Sequence, residues 1–464
     1  MSADDKGAPA TSSWLASDRP VPRLVARPFR EFLDTEVAGG VVLLVAAAAA
    51  LIWANSPLSD SYETLLSTEI SIGVGGYTIA EDLQHWVNDA LMVLFFFVVG
   101  LEVKRELAMG ELSDTKKAAF PSVAALGGMV VPALIYTAFN FGGAGSAGWG
   151  IPMATDIAFA VGILALFGSR IHPSLKVFLL SLAVADDIGA IVVIALFYTS
   201  DLNPVALLVA GGLFGLVALL RAIRVIWIPL YVLVGAAAWL ATYESGVHAT
   251  IAGVVLGLMT PVRPRRDPSK EPVGSLDPDP DRLEDGESEG FAPHEVRAWR
   301  LRTQERVAVG EYLEHVLHPW TSFVVIPIFA LANAGVALTG DDVSNALSSP
   351  VTLGIVAGLV VGKLAGISLF AYAAQRIGFA EVPEGVSGRQ IVGAAAIAGI
   401  GFTVSLFITE LAFDDAALID EAKVGILFAS VLAAGLGAVV LRFGGAASDE
   451  APSRLSRARE TMGE

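Results

Sequence analysis

Val177–Tyr198 reads VFLLSLAVADDIGAIVVIALFY, an apolar run with two adjacent carboxylates, Asp186 and Asp187, inside it. The run is long enough for a membrane-crossing helix, which needs about 20 apolar residues. Charge at membrane depth is costly, so acids kept there mark a functional site by default. Two other polar residues lie in similar surroundings: Asp156 in MATDIAFAVGIL and Lys363 in GIVAGLVVGKLAGISLF.

The rest of the chain repeats the apolar pattern. Of 464 residues 54% are hydrophobic and 17% charged, glycine is abundant at 47, and the mean hydropathy is +0.63. Glycine is frequent where membrane helices pack closely. Twelve apolar runs read as spans: 36–54, 86–107, 119–139, 150–168, 173–198, 205–220, 225–241, 247–261, 313–335, 352–374, 391–413 and 422–441. The expected fold class is an all-α polytopic membrane protein. Its sections are a polar tail 1–33, spans 1–8 over 34–263, a Pro- and acid-rich insert 264–306, spans 9–12 over 307–445 and a second tail 446–464. The insert composition predicts disorder, as does that of the first tail.

Lys and Arg fix the orientation. With twelve spans, the tails and even-numbered loops carry the positives, among them Arg30, Lys104, Lys116, Lys117, Arg170, Arg221, Arg263 and Arg389, whereas the opposite loops have acids such as Asp60, Glu63, Glu69 and Glu244 but no Lys or Arg. Both termini are therefore expected in the cytoplasm. The net charge of -17 argues against nucleic-acid partners. With no Cys, disulfide and thiol chemistry are excluded. Residues 1–33 have no apolar core of a signal peptide. On the outer side EISIGVGGYTIA, Glu69–Ala80, alternates around Gly75–Gly76 and predicts a small β-hairpin.

Spans four and eleven are interrupted. The fourth opens Trp149-Gly-Ile-Pro152 ahead of Asp156, and the eleventh carries Gly393, Gly399 and Gly401. A matched pair of broken spans predicts inverted repeats with an ion site between them; close helix packing is the alternative use of those glycines.

Consecutive residues on a helix point about 100° apart, so one of Asp186 and Asp187 can face a cavity while the other faces a neighbouring helix. Such a pair can trade protons and, when ionised, offers hard oxygens to a small cation. A buried Lys363 needs a counter-charge, and Asp156, Asp186 and Asp187 are the acids deep in the runs. Two uses of Lys363 stand open: a pair that breaks when cation or proton arrives, and compensation of the negative ends of broken half-helices. Asp156 with Thr155 suits the positive half-helix ends. Near the cytoplasmic mouth, Glu102, Arg105 and Glu106 at helical spacing, and Glu314, His315 and His318, form a cluster that can sense pH or make ordinary interfacial ion pairs. His248 is expected to be packed and hydrogen-bonded.

The blocks HWVNDALMVLFFFVVGLEVKRELAMGEL, MATDIAFAVGILALFGSR, LAVADDIGAIVVIALFYT, SGVHATIAG, LEHVLHPW, FALANAGV, GKLAGISLF and GIGFTVSLFI resemble the NhaA-type bacterial sodium/proton antiporters. The resemblance runs from about residue 36 to 441, outside the insert. It implies an electrogenic Na⁺(Li⁺)/H⁺ exchanger of the bacterial inner membrane, with two broken helices that cross. Asp187 would be the main cation and proton site, Asp186 its partner, and Lys363 the competitor for Asp186, with Asp156 and Thr155 at the crossing. Glu102, Arg105, Glu106, Glu314 and His318 match the family's pH-responsive region. No cofactor is implied; Na⁺, Li⁺ and H⁺ are substrates, membrane lipid is the surroundings, and the hairpin Glu69–Ala80 would form a homodimer. Glu311 and Tyr312 depart from the basic residues usual before Leu313–Glu314, and the insert is unusual. Two rival functions use similar residues. An intramembrane aspartyl hydrolase needs two carboxylates from different helices sharing one water, which consecutive aspartates do not supply. A passive channel favours rings of like charge or carbonyls, which do not call for a buried lysine.

Overall fold

The computed structural model describes residues 38–74, 77–168, 171–199, 202–225, 227–263, 308–337 and 346–444. The tails 1–33 and 446–464, the insert 264–306 and the Gly75–Gly76 turn lie outside the described residues.

The architecture is helical. In chain order, α1 (Ala38–Ala54) turns sharply, by 115°, into α2 (Ser59–Leu66). The strands β1 (Glu69–Val74) and β2 (Tyr77–Asp82) follow as an antiparallel pair, in register from Glu69 opposite Asp82 to Val74 opposite Tyr77. This is the predicted hairpin, extended by two residues, and the only sheet among the described residues. Then come α3 (Leu83–Met109) and α4 (Thr115–Asn140). A 3₁₀ segment, Ala144–Met153, meets α5 (Ile157–Ala165) at a 43° bend. Next are α6 (Pro173–Phe197), α7 (Pro204–Ala222), α8 (Ile228–Tyr243) and α9 (Thr250–Met259). After the insert come α10 (Val309–Asn333) and α11 (Pro350–Arg376). The pair α12 (Gly388–Ile397) and α13 (Phe402–Ala412) is bent by 46°, and α14 (Ala416–Gly444) closes the chain. Seven of these helices are long and apolar enough to cross a membrane, up to ten if each bent pair is one span, with α8 and α9 as shorter apolar helices.

Local chemistry explains the ends. The α6 helix starts with Pro173 at its first position behind a His172 cap, and Asn203 caps α7 through the N–H groups of Val205 and Ala206. Ser387 and Gln390 form a reciprocal capping box at α12. A wider π-turn interrupts each of α3 (Val87–Leu91), α10 (Thr321–Val325) and α11 (Ala357–Gly362). Such turns are frequent at functional positions, and the one in α11 ends directly before Lys363.

Lipid cannot drive helices together by exclusion from water, so small residues and close backbones do the work. Gly127 of α4 and Gly366 of α11 touch through their backbones: a Cβ at Gly366 would lie 2.1 Å from the Gly127 carbonyl oxygen. Gly253 and Gly257, one turn apart on α9, meet α3 in the same manner, with Gly257 against Gly100. Large apolar side chains such as Leu44, Val45, Ile52, Leu134, Leu208, Val232 and Val431 point outward, as they do on surfaces solvated by hydrocarbon. Inside lie Tyr136, Phe120, Phe329, Phe407 and, among them, the fully buried Lys363.

Candidate ion site

The two breaks lie against each other. Between the 3₁₀ segment and α5 the chain is extended at Ala154 and Asp156, and its backbone reaches the α12–α13 break: the Asp156 N–H donates to the Ile400 carbonyl at 2.6 Å. Asp156 is only 2% exposed, and both of its oxygens are used. Oδ1 accepts from the Phe159 N–H (3.1 Å) and so caps α5; Oδ2 accepts from the N–H (3.0 Å) and hydroxyl (2.7 Å) of Thr403 in the first turn of α13. One carboxylate thus faces two helix N-termini, where negative charge is favoured. Ser405 adds a bond from its hydroxyl to the Ile151 carbonyl at 2.7 Å.

The neighbouring Thr155 looks the other way. Its hydroxyl oxygen accepts from the Lys363 ammonium at 3.0 Å and lies 2.8 Å from Asp186 Oδ2 and 2.9 Å from the Ala398 carbonyl. With one proton to give, it serves one of those two acceptors at a time. Lys363 also makes an ion pair with Asp186 Oδ2, and both side chains are fully buried. Of the three acids open to it, the lysine takes Asp186.

Asp187, 7% exposed, lies by helical spacing on the α6 stripe that packs on α3. Val184, Ile188 and Ile191 of the same α6 stripe pack on Val99 and Val103, and the Glu102 carboxylate is within electrostatic range of Asp187. Asp186 Oδ1 and Asp187 Oδ1 are buried with no hydrogen-bond partner among the described residues. Buried polar atoms are normally partnered. Two free carboxylate oxygens on adjacent residues fit a small hard cation or a proton, each of which would occupy them in turn.

The five expected pH-responsive residues are partly brought together. Arg105 pairs with Glu314 across α3 and α10. Glu106 Oε1 accepts from the Ser181 hydroxyl on α6 at 3.1 Å and from the Glu111 N–H at 2.9 Å. Glu102 lies within electrostatic range of Glu314 as well as of Asp187, while His318 is exposed one turn beyond Glu314. His248 packs edge-on to Phe407, as expected of a packed histidine, but its Nδ1 has no hydrogen bond and lies 3.8 Å from Asp89.

The apolar runs concealed some of the polar machinery. Thr403 and Ser405 follow the Gly399–Gly401 break, and a hydroxyl in the first turn of a half-helix was the signal for them. A second, largely buried pair, Lys423 of α14 and Glu410 of α13, was hidden at the margins of two runs.

A helical membrane protein with two broken segments meeting at a buried carboxylate–lysine site is the class of a secondary ion transporter. The chain belongs to the family described as Na⁺/H⁺ antiporter 1, which it matches over residues 30–441. It is 48% identical over 437 residues to a Frankia alni protein named Na(+)/H(+) antiporter NhaA 3, covering 92% of each chain. It is 45% identical over 429 residues to the Na(+)/H(+) antiporter NhaA of Sulfurimonas denitrificans, covering 90% of this chain and 96% of that one. The like-named protein of Rhodopirellula baltica is 47% identical over 418 residues, 88% of this chain and 92% of that one.

Proposed function

We propose that the chain is an electrogenic Na⁺(Li⁺)/H⁺ antiporter of the bacterial inner membrane, with Asp187 and Asp186 as its cation and proton site. One observation carries this: a buried lysine holds one of two adjacent aspartates while free carboxylate oxygens of both remain. A cation arriving at Asp187 draws on Asp186 as a second ligand, and Lys363 gives way. Protons then leave from Asp187 and from the Lys363 ammonium, more charge than the cation brings, which makes the exchange electrogenic. Protonation on the other side reverses the step. Asp156 and Thr155 keep the two breaks in place through both halves of the cycle.

In this reading each bent pair carrying a break is one crossing, and the helices make twelve spans in inverted repeats, with both termini cytoplasmic. The Arg105–Glu314 pair, with Glu102, Glu106 and His318, lines the cytoplasmic approach and responds to pH. The exposed hairpin, Glu69–Ala80, joins two copies as a homodimer; Ile72 on it is 53% exposed, apolar surface suited to a partner.

The test is proton movement in proteoliposomes holding the full chain. Added Na⁺ or Li⁺ should drive proton release, faster when the membrane potential is clamped. Asp187→Asn should abolish it while the protein remains inserted, because an amide cannot trade a proton for a cation. Near-normal exchange by that variant would refute the site assignment, and cation flux without proton movement would indicate a channel.

A further inference from the structure

A second charge pair, with its lysine buried and its glutamate largely so, lies near the hairpin end of the helices and has no part in the exchange just described. Lys423, 5% exposed on α14, sets its ammonium 3.0 Å from Glu410 Oε1 on α13, off the line of a hydrogen bond. Glu410 Oε2 accepts from the Gln84 amide, in the first turn of α3, at 3.4 Å. That amide also donates to Asn333 Oδ1 of α10 at 3.1 Å, and Asn333 and Asn88 exchange side-chain hydrogen bonds at 2.7 and 3.2 Å.

We propose that Gln84, Glu410 and Lys423 form an outer latch, which holds the seam between α3 and α13 closed on the hairpin side. The inference rests on the exchange reading above. Asp187 shares the α6 stripe that packs on Val99 and Val103 of α3. The first turn of α13 is tied through Thr403 to Asp156, beside the Thr155 that holds Asp186. An ion on Asp187 therefore sits between α3 and the unit that includes α13. Toward the hairpin that seam is shut by Phe407 of α13 against Phe96 of α3, ring centres 5.0 Å apart, and then by the Gln84–Glu410 bond. Release of the ion on that side requires the seam to part there.

The chemistry of the latch suits repeated opening. A carboxylate left alone in apolar surroundings is expensive. Glu410 keeps Lys423 when Gln84 departs, so opening breaks a hydrogen bond to a neutral amide and separates no charges. Gln84 retains Asn333 or meets water. In this scheme Glu410–Lys423 moves as one piece, and Gln84–Glu410 is the contact that is made and broken.

The chain has no Cys, so introduced thiols are the only ones. In proteoliposomes holding the full chain, a short bifunctional thiol reagent would bridge Gln84→Cys to Glu410→Cys, across the seam. A control would bridge Glu410→Cys to Lys423→Cys, within one unit. The seam bridge should cut Na⁺-driven proton movement by about tenfold or more, reversed by reductant, while the control bridge leaves it near its unbridged rate. Exchange that persists through the seam bridge, or is lost equally with both bridges, overturns the latch. Exchange by the unaltered chain tests the antiporter reading separately. A second arm needs no transport: a single thiol from Asn88→Cys, beneath the latch, is treated with a membrane-impermeant reagent from the hairpin side. Adding Glu410→Leu and Lys423→Met, which removes the acceptor of the Gln84 amide and leaves no charge unpaired, should raise its reaction rate about fivefold or more by populating the open seam. An unchanged rate overturns the proposal.

Discussion

Lys363 offers the sharpest test of how the site is held together. Lys363→Gln removes a fully buried ammonium and leaves the Asp186 carboxylate, also fully buried, with the Thr155 hydroxyl as its remaining donor. Breaking one side of a buried ion pair costs about 3–5 kcal/mol. The Thr155 bond to a charged acceptor is worth roughly 1.5–3 kcal/mol and is already in place, so it offsets nothing new. Each kcal/mol moves the midpoint by about 2–4 °C in chains of 150–250 residues and by less in longer ones, so a fall of roughly 5–10 °C is expected. The double variant Asp186→Asn/Lys363→Gln removes both charges, keeps the volumes, and should recover most of that loss. Melting of purified protein in one detergent, with proton movement measured on the same variants, decides the question. If the double variant is no more stable than Lys363→Gln, the two residues are not an energetic pair, and Lys363 acts on the half-helix ends instead.

Thr403→Val removes the 2.7 Å bond to Asp156 and should cost roughly 1.5–3 kcal/mol of stability, with Na⁺ affinity falling in transport assays, whereas Thr403→Ser retains both. Gly366→Ala drives a Cβ to 2.1 Å from the Gly127 carbonyl and should cost about 1–3 kcal/mol or more by thermal melting, while Gly388→Ala meets nothing within 4 Å and should be neutral. Replacing residues 264–306 by a short Gly/Ser linker should leave exchange intact in proteoliposomes, as expected from the polar, Pro-rich composition of that stretch.

Much of the membrane part could be read along the chain. An apolar run is a one-dimensional signal, and each of the expected runs coincides with a helix or a bent pair of helices. The Asp186–Asp187 pair and Lys363 stood out for the same reason: burying charge is so costly that a single such residue in a long apolar run is conspicuous. The hairpin followed from alternation around Gly75–Gly76, and the two breaks from their glycines and Pro152.

Choice of partner was not legible in that way. The residues alone left Lys363 with three acids, and only the resemblance to known antiporters named Asp186. Lys363 and Asp186 are 177 positions apart, and rotation by one residue on α6 would have presented Asp187 instead. Likewise nothing local says that the two oxygens of Asp156 cap two different helices, or that Glu410, at the end of one run, finds Lys423 near the start of the next. Sequence determines which charges must be compensated, because burial energy belongs to each residue by itself. Tertiary structure decides which charge compensates which, because that depends on the packing angle and rotation of helices distant in the chain.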